Sequence, residues 1–198
     1  MKKISVESFS VYFQLGLRHI ADFDAYDHML FLLALVCVYR LFDAVKVLIL
    51  ITAFTLGHSL TLFLATTEVL IVDADWIEFL IPVTILITSV ANIVRGKDAA
   101  RGNMIWPYAL AAFFGLIHGM GFSNYLRMLL SDQGELFIPL AAFNIGIEVG
   151  QVAIVIGIFL LYELTFRALR FNHRDWILTI SGATAGISFI LIKEAVFW

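Results

Sequence analysis

The chain has 198 residues, of which 61% are hydrophobic and 15% charged, and its mean hydropathy is +0.93. This composition excludes an ordinary soluble domain and predicts a single integral membrane domain over 1–198. The net charge of −3 does not indicate a partner, but the lack of a basic patch excludes nucleic acid. The single cysteine, Cys37, excludes an intrachain disulfide and a structural zinc–thiolate site.

The apolar segments predict an all-α, polytopic transmembrane helix bundle of about six spans, each near the ~20 residues that cross a bilayer. A moderately apolar segment at 6–20 comes first and predicts a short N-terminal helix, interfacial or re-entrant. The predicted spans follow at 24–41, 45–67, 76–94, 104–122, 136–162 and 176–196. The chain is therefore expected in the cell membrane, in contact with the lipid bilayer, and a homo-oligomer is left open.

Cations mark alternate connections between these spans. Those of the first, third and fifth connections are Arg40, Lys46, Arg95, Lys97, Arg101, Arg167, Arg170 and Arg174. The second connection carries acidic residues without a cation, and the fourth is mainly acidic. Because cytoplasmic loops are enriched in Lys and Arg, this pattern predicts that connections one, three and five are cytoplasmic and that both termini lie outside.

Acidic and imidazole side chains interrupt the apolar segments. Such groups are costly in lipid unless they face protein, water or an ion. With the predicted topology they fall at similar depth on separate helices, in the outer half of the bilayer. We therefore predict that they meet in one metal site, whose candidate ligands are His19, Asp27, His28, His58, His118 and Glu148.

This set of donors points to a divalent transition metal. Imidazole with carboxylate suits zinc, nickel, cobalt, iron or manganese, of which zinc, nickel and cobalt are the ions we expect, and the lack of thiolate argues against copper(I). Each residue also has a purely structural interpretation: Asp27 at a helix N-terminus, or His58 and His118 as interhelical hydrogen-bond donors. One structural role would not bring them all to one depth. Glu148 is left open as a ligand, a general base or a hydrogen-bond partner.

Other polar residues near these positions predict supporting roles or a path for an ion. They are Asp24, Thr55, Ser59, Asn144, Gln151, Thr84, Thr88 and Asn92. The last three form a stripe on the third predicted span, toward the cytoplasm, and Pro82 interrupts the hydrogen bonds of that helix near its outer end. The alternative for the two threonines is ordinary bonding to the preceding helical turn.

Four short blocks carry these residues in order, at 16–31, 53–62, 115–122 and 143–151. At these blocks the chain resembles the HupE/UreJ family of small membrane proteins. The resemblance implies a nickel or cobalt permease of the LysE-type transporter group, associated with hydrogenase and urease maturation. It also implies His19, Asp27 and His28 as the residues of the first-span motif. The gap at 20–26 is longer than in the hydrogenase-associated branch, which implies a divergent branch.

Three functions fit this set of residues. The first is a permease that captures a divalent metal ion from the outer face and releases it inward. The second is an intramembrane zinc-dependent hydrolase, in which Glu148 takes a proton from metal-bound water. The third is a metal-sensing or assembly subunit with neither flux nor turnover. Transport predicts water access from both faces, whereas hydrolysis predicts an outward cavity and one tightly held metal.

Overall fold

The computed structural model describes residues 6–23, 25–70, 72–98, 100, 102–130, 136–170 and 172–198. Within these ranges the chain forms helices and no strand, so the predicted all-α fold class is confirmed. The helices are α1 Val6–Ile20, α2 Asp27–Val36, α3 Ala44–Thr66, α4 Ala74–Arg95, α5 Ile105–Gly121, α6 Ser123–Leu130, α7 Phe137–Leu169 and α8 His173–Glu194. Two of the predicted residues, Asp24 and Arg101, lie outside the described residues.

Four segments of the described chain are long and apolar enough to cross a membrane. They are Leu41–Thr66, Ala74–Arg95, Phe137–Ala168 and His173–Glu194, and they correspond to the predicted second, third, fifth and sixth spans. The predicted first and fourth spans correspond to shorter apolar helices, α2 and α5, of 10 and 17 residues. The chain is thus a multi-pass membrane protein, and the predicted count of about six spans is not confirmed.

Polar residues fix where the long helices begin. The Asp73 side chain accepts a hydrogen bond from the backbone N–H of Asp75 at the start of α4. Asn172 and Asp175 form a reciprocal capping box at the start of α8. Both caps satisfy backbone donors that a helix start leaves without a partner. Local sequence therefore sets these boundaries, and apolar packing holds the helices between them.

The helices α4 and α8 run antiparallel and define two ends of the bundle. At one end the rings of Trp76 and Trp198 stack 5.7 Å apart, and at the other Arg95 and Arg174 line one cavity. We name the first the acidic end, because Glu78 and Glu194 lie there, and the second the basic end.

Contacts with this pair give the direction of other helices. Asp27, at the start of α2, shares a cavity with Glu78, and Ala34 near its other end accepts a hydrogen bond from Asn92. Helix α2 therefore runs parallel to α4. Late in α7, Tyr162 contacts the ring of His173 at the basic end, so α7 runs in the same direction.

Helix α1 packs lengthwise along α7 and does not lie across the end of the bundle as an interfacial helix would. Its Gly16 packs against the backbone at Phe143, and its Ile20 packs against Gly150. The two helices are thus parallel, and α1 runs in the same direction as α2. Because the rings of His19 and His28 lie 4.6 Å apart, the end of α1 adjoins the start of α2. The predicted N-terminal helix, α1, and the predicted first span, shortened to α2, therefore follow one another in series.

Glycines bring α3 and α5 into backbone contact. A Cβ added to Gly57 would overlap the carbonyl oxygen of Ala112, and one added to Gly115 would overlap that of Phe54. Only a residue without a side chain permits this approach, which is a common device of helix pairs in membranes. The contact matters for the site because His58 follows Gly57 on α3 and His118 lies one turn beyond Gly115 on α5.

Candidate metal centre

Five of the six predicted ligands come together at the junction of α1, α2, α3 and α5. Potential ligand atoms of His19, His28 and His58 lie within 4.8 Å of one another, and so do those of Asp27, His28 and His118. We call these five residues the histidine cluster. His28 belongs to both groups of three. The helices that carry the cluster are the pair in series, α1 and α2, and the pair in backbone contact, α3 and α5.

The histidine rings are packed against one another and are largely withdrawn from solvent. The ring of His28 lies 5.2 Å from that of His118 and 5.9 Å from that of His58. His58 and His118 are fully buried, and His28 is 4% exposed. Aromatic rings complete the wall, namely Phe31, Phe54, Phe122 and Phe143. An ion held here would thus be shielded from bulk water.

Thr84 fixes how His118 presents its nitrogens. The hydroxyl of Thr84 donates to the carbonyl oxygen of Ile81 at 2.7 Å, so its oxygen accepts from Nε2 of His118 at 3.0 Å. With its proton on Nε2, His118 has a free lone pair on Nδ1. That nitrogen is buried and has no hydrogen-bond partner in the described structure. A hydrogen bond of this kind on the far nitrogen is what orients a metal-binding histidine.

Asp27 plays the same part for His28. Its Oδ1 accepts from Nδ1 of His28 at 3.2 Å and from the His28 backbone N–H at 2.9 Å. An ionised carboxylate only accepts hydrogen bonds, so the proton lies on Nδ1 and the lone pair of Nε2 is free. Both bonds use Oδ1, and Asp27 is itself part of a convergent group. Asp27 thus orients His28 and brings a negative charge to the cluster.

The clearest chemical feature of the cluster is its unpartnered nitrogens. They are His19 Nε2, His28 Nε2, His58 Nδ1 and Nε2, and His118 Nδ1. More than about 90% of buried polar groups in proteins have a partner, and leaving one without costs about 1–3 kcal/mol. Several in one place, on four helices, need a common partner. A single metal ion accepts lone pairs from several imidazoles at once.

Glu148, the sixth predicted ligand, belongs to neither convergent group. Its Oε1 accepts a hydrogen bond from the hydroxyl of Thr52, which precedes His58 by six residues on α3, or about 9 Å along the axis. Thr55 donates similarly to Oε1 of Gln151 at 2.8 Å, and Ser59 donates to the Thr55 carbonyl. These residues link α3 to α7 beside the cluster. Asn144 has a buried Oδ1 without a partner in the described structure.

The three residues of the predicted polar stripe of α4 have different partners, and Thr84 is the one that contacts the cluster. Thr84 bonds His118, whereas Thr88 donates back to the Thr84 carbonyl, as the alternative interpretation expected. Asn92 is buried and donates to the carbonyl oxygen of Ala34. Thr88 and Asn92 line a cavity of about 130 Å³ whose other walls are mostly apolar and include Arg95.

A second cavity, of about 330 Å³, lies at the acidic end, and Asp27 of the cluster is part of its wall. Its wall contains three carboxylates and no cation, and these are Asp27, Glu78 and Glu194. Pro82 also lines it, and because proline lacks an N–H, the carbonyl of Glu78 one turn earlier has no helical donor. We call it the acidic cavity. Asp27 lines this cavity and also belongs to the histidine cluster.

Sequence reasoning missed Glu78, Glu194 and Thr52. A signal for Glu78 exists, since it precedes Pro82 by four residues and therefore lies on the same face of α4. Glu194 is far away in sequence and reaches the cavity only because α8 packs antiparallel to α4. No local pattern indicates that proximity.

A model of the HupE / UreJ protein family matches residues 1–194. No curated protein and no solved structure matches the chain. The family is associated with the transport of nickel and cobalt. With a match over nearly its whole length, and with the histidine cluster formed by the blocks that carry the resemblance, the chain belongs to the HupE/UreJ family.

Proposed function

We propose that this protein is a permease for a divalent transition-metal ion of the nickel and cobalt kind, which binds at the histidine cluster as its transported substrate. The observation that carries the proposal is the set of unpartnered imidazole nitrogens on four helices. Imidazole is a ligand that nickel, cobalt and zinc share, so the donor set supports this class of ion without choosing one member.

The two helices in series support transport rather than permanent retention. Transporters commonly form their ion sites where a membrane helix is interrupted, because such a break leaves ligands at depth and lets the halves move. Here the break between α1 and α2 lies at His19 and Asp27. Two ligand positions of the proposed site thus belong to a segment that local rearrangement can move.

The acidic cavity supports capture from the acidic end. Three carboxylates without a cation raise the local concentration of divalent cations, and Asp27 passes from the cavity wall into the cluster. With the cation-rich connections in the cytoplasm, this end faces outside, as the loop charges predict. Release would then follow Thr84 toward the cavity that contains Thr88 and Asn92.

The intramembrane hydrolase remains a prediction without a supporting observation. It requires Glu148 as a base beside the metal, and the carboxylate of Glu148 bonds Thr52 and is not in either convergent group. Only the permease is therefore developed further.

The proposal is tested by metal uptake into proteoliposomes that contain a metal-quenched dye, with nickel, cobalt, zinc and manganese offered separately. We expect wild-type uptake of at least one of these ions. His58→Gln and His118→Gln should each lower metal affinity more than the ~10–100-fold typical of losing an outer hydrogen-bond partner, and should abolish uptake.

The matched control is His173→Gln. His173 is the fifth histidine of the chain, lies at the basic end and contacts the Val38 carbonyl. It should leave uptake unchanged. Uptake that survives the His58 and His118 changes, or no uptake of any of the four ions by wild-type protein, would contradict the permease.

A further inference from the structure

The basic end of the bundle contains a cavity that the metal path does not use. It has a volume of about 460 Å³ and lies where α4 ends, α8 begins and the first connection passes. Three arginines line it, one from each of three separate connections, and these are Arg40, Arg95 and Arg174. We call it the basic cavity.

These arginines differ from other cations at the same end. Lys46 pairs with Asp43 at 2.7 Å, and Arg167 pairs with Glu163 at 3.5 Å. In the described part of the chain, none of the three cavity arginines makes an ion pair. One carboxylate, Asp98, also lines the cavity, so the formal charge of its wall remains positive. A bias of cations toward one face of the membrane does not by itself require three arginines around one space.

Asn172 and His173 add polar groups to the remaining wall, and the rest of it includes an exposed apolar surface. Ile93, Val94 and Leu178 line the cavity, and their exposed fractions are 39%, 79% and 38%. They lie on α4 and α8, which are both long enough to cross the membrane. The cavity thus combines guanidinium groups with a hydrocarbon surface that continues along two helices. A small inorganic anion would use only the first of these features, whereas a phospholipid uses both.

We propose that the basic cavity binds an anionic membrane phospholipid, with its phosphate on Arg40, Arg95 and Arg174. Guanidinium groups bind phosphate oxygens through paired, charge-assisted hydrogen bonds. Basic pockets between membrane helices on the cytoplasmic side are suited to acidic headgroups. The acyl chains lie against Val94 and Leu178. This inference does not depend on the metal site.

The test is lipid binding to the detergent-purified full-length protein, measured by native mass spectrometry during titration with phosphatidylglycerol. The variant combines Arg40→Gln, Arg95→Gln and Arg174→Gln. The control removes the same charge from the same end, through Lys46→Gln, Arg167→Gln and Arg170→Gln. Parallel titrations use phosphatidylcholine and inorganic phosphate.

We expect wild type and control to bind one phosphatidylglycerol tightly, and the cavity variant to bind it roughly 100-fold more weakly, since each arginine near an acidic lipid contributes about a factor of five. Phosphatidylcholine should bind more weakly than phosphatidylglycerol. Equal weakening in the control, equal binding of the two lipids, or displacement of the lipid by millimolar inorganic phosphate would each overturn the proposal. If the cavity variant does not fold, the single change Arg174→Gln decides by the same comparison.

Discussion

The two ends of the bundle differ in the sign of the charges that line their cavities and in how deeply their polar groups are buried. At the acidic end, three carboxylates line a cavity, and one of them, Asp27, also belongs to the cluster of buried histidines. At the basic end, three arginines line a larger cavity whose polar groups are exposed, and no convergent metal-ligand group occurs there among the described residues. A cation is therefore attracted at one end and repelled at the other.

This difference teaches that the charges of one small membrane protein can serve two tasks. The basic end needs only surface charge, because loop arginines orient the chain and can meet acidic lipid headgroups. The metal site that we propose near the acidic end needs depth as well, because dehydrated metal binding requires several ligands from different helices. Among the described residues, glycine-mediated helix contact occurs beside the histidine cluster and not beside the basic cavity.

The largest effect on the difference between the two ends should come from a substitution that separates α3 from α5. Gly57→Ala places a Cβ against the Ala112 carbonyl, and overpacking of this kind costs about 1–3 kcal/mol. We expect a lower thermal denaturation temperature in detergent and loss of metal binding, because His58 and His118 are moved apart. The control is Gly157→Ala on α7, where an added Cβ meets nothing within 4 Å. Equal effects of the two changes would contradict the proposed importance of the α3–α5 contact.

A substitution that removes a single hydrogen bond tests whether such bonds orient the histidines of the cluster. Thr84→Val keeps the shape of the side chain but removes the acceptor for Nε2 of His118. Metal affinity should fall by about 10–100-fold, and the free energy of unfolding should fall by the ~1–3 kcal/mol that a buried donor without a partner costs. Calorimetric titration with nickel or cobalt measures the affinity. Thr88→Val is the control, since its hydroxyl bonds the Thr84 carbonyl, and an equal loss there would show that His118 is not the cause.

The smallest expected effect concerns the acidic cavity itself. Glu78→Gln together with Glu194→Gln should raise the metal concentration for half-maximal uptake by about 2- to 5-fold, because exposed charges act weakly through water. The maximal rate should not change. Near 1 M salt, where the Debye length is about 3 Å, the difference should vanish. Glu163→Gln, at the basic end, should have no effect. A change that persists at high salt would mean that these glutamates bind the ion directly.

Much of the cluster was predictable because depth along a membrane helix can be estimated from sequence. The Lys and Arg residues of the loops predicted the direction in which each helix crosses the membrane. Those directions predicted a similar depth for His28, His58 and His118. The same reasoning could not place Glu148, because depth does not determine which neighbour a side chain faces. In the structure it faces Thr52.

The length of the first span and the placement of the helix before it were harder to predict. The segment after 24 is a continuous apolar run, so hydropathy alone favours a helix to 41, whereas α2 ends at Val36. The packing of α1 along α7, through Gly16 and Gly150, depends on tertiary contacts that hydropathy does not indicate. In the same way, the loop arginines indicated sidedness but not that three of them surround one cavity, since that depends on how α4 and α8 pack.

His28 belongs to both groups of three potential ligands, and this affects how an ion could exchange its ligands. In the proposed permease, an ion that moves between the two groups can keep His28 as a ligand while it exchanges the others. Such a transfer is an associative substitution, in which the new ligand arrives before the last old one departs. The ion would then lose its water shell once, on arrival, and would not need to regain it between the two positions.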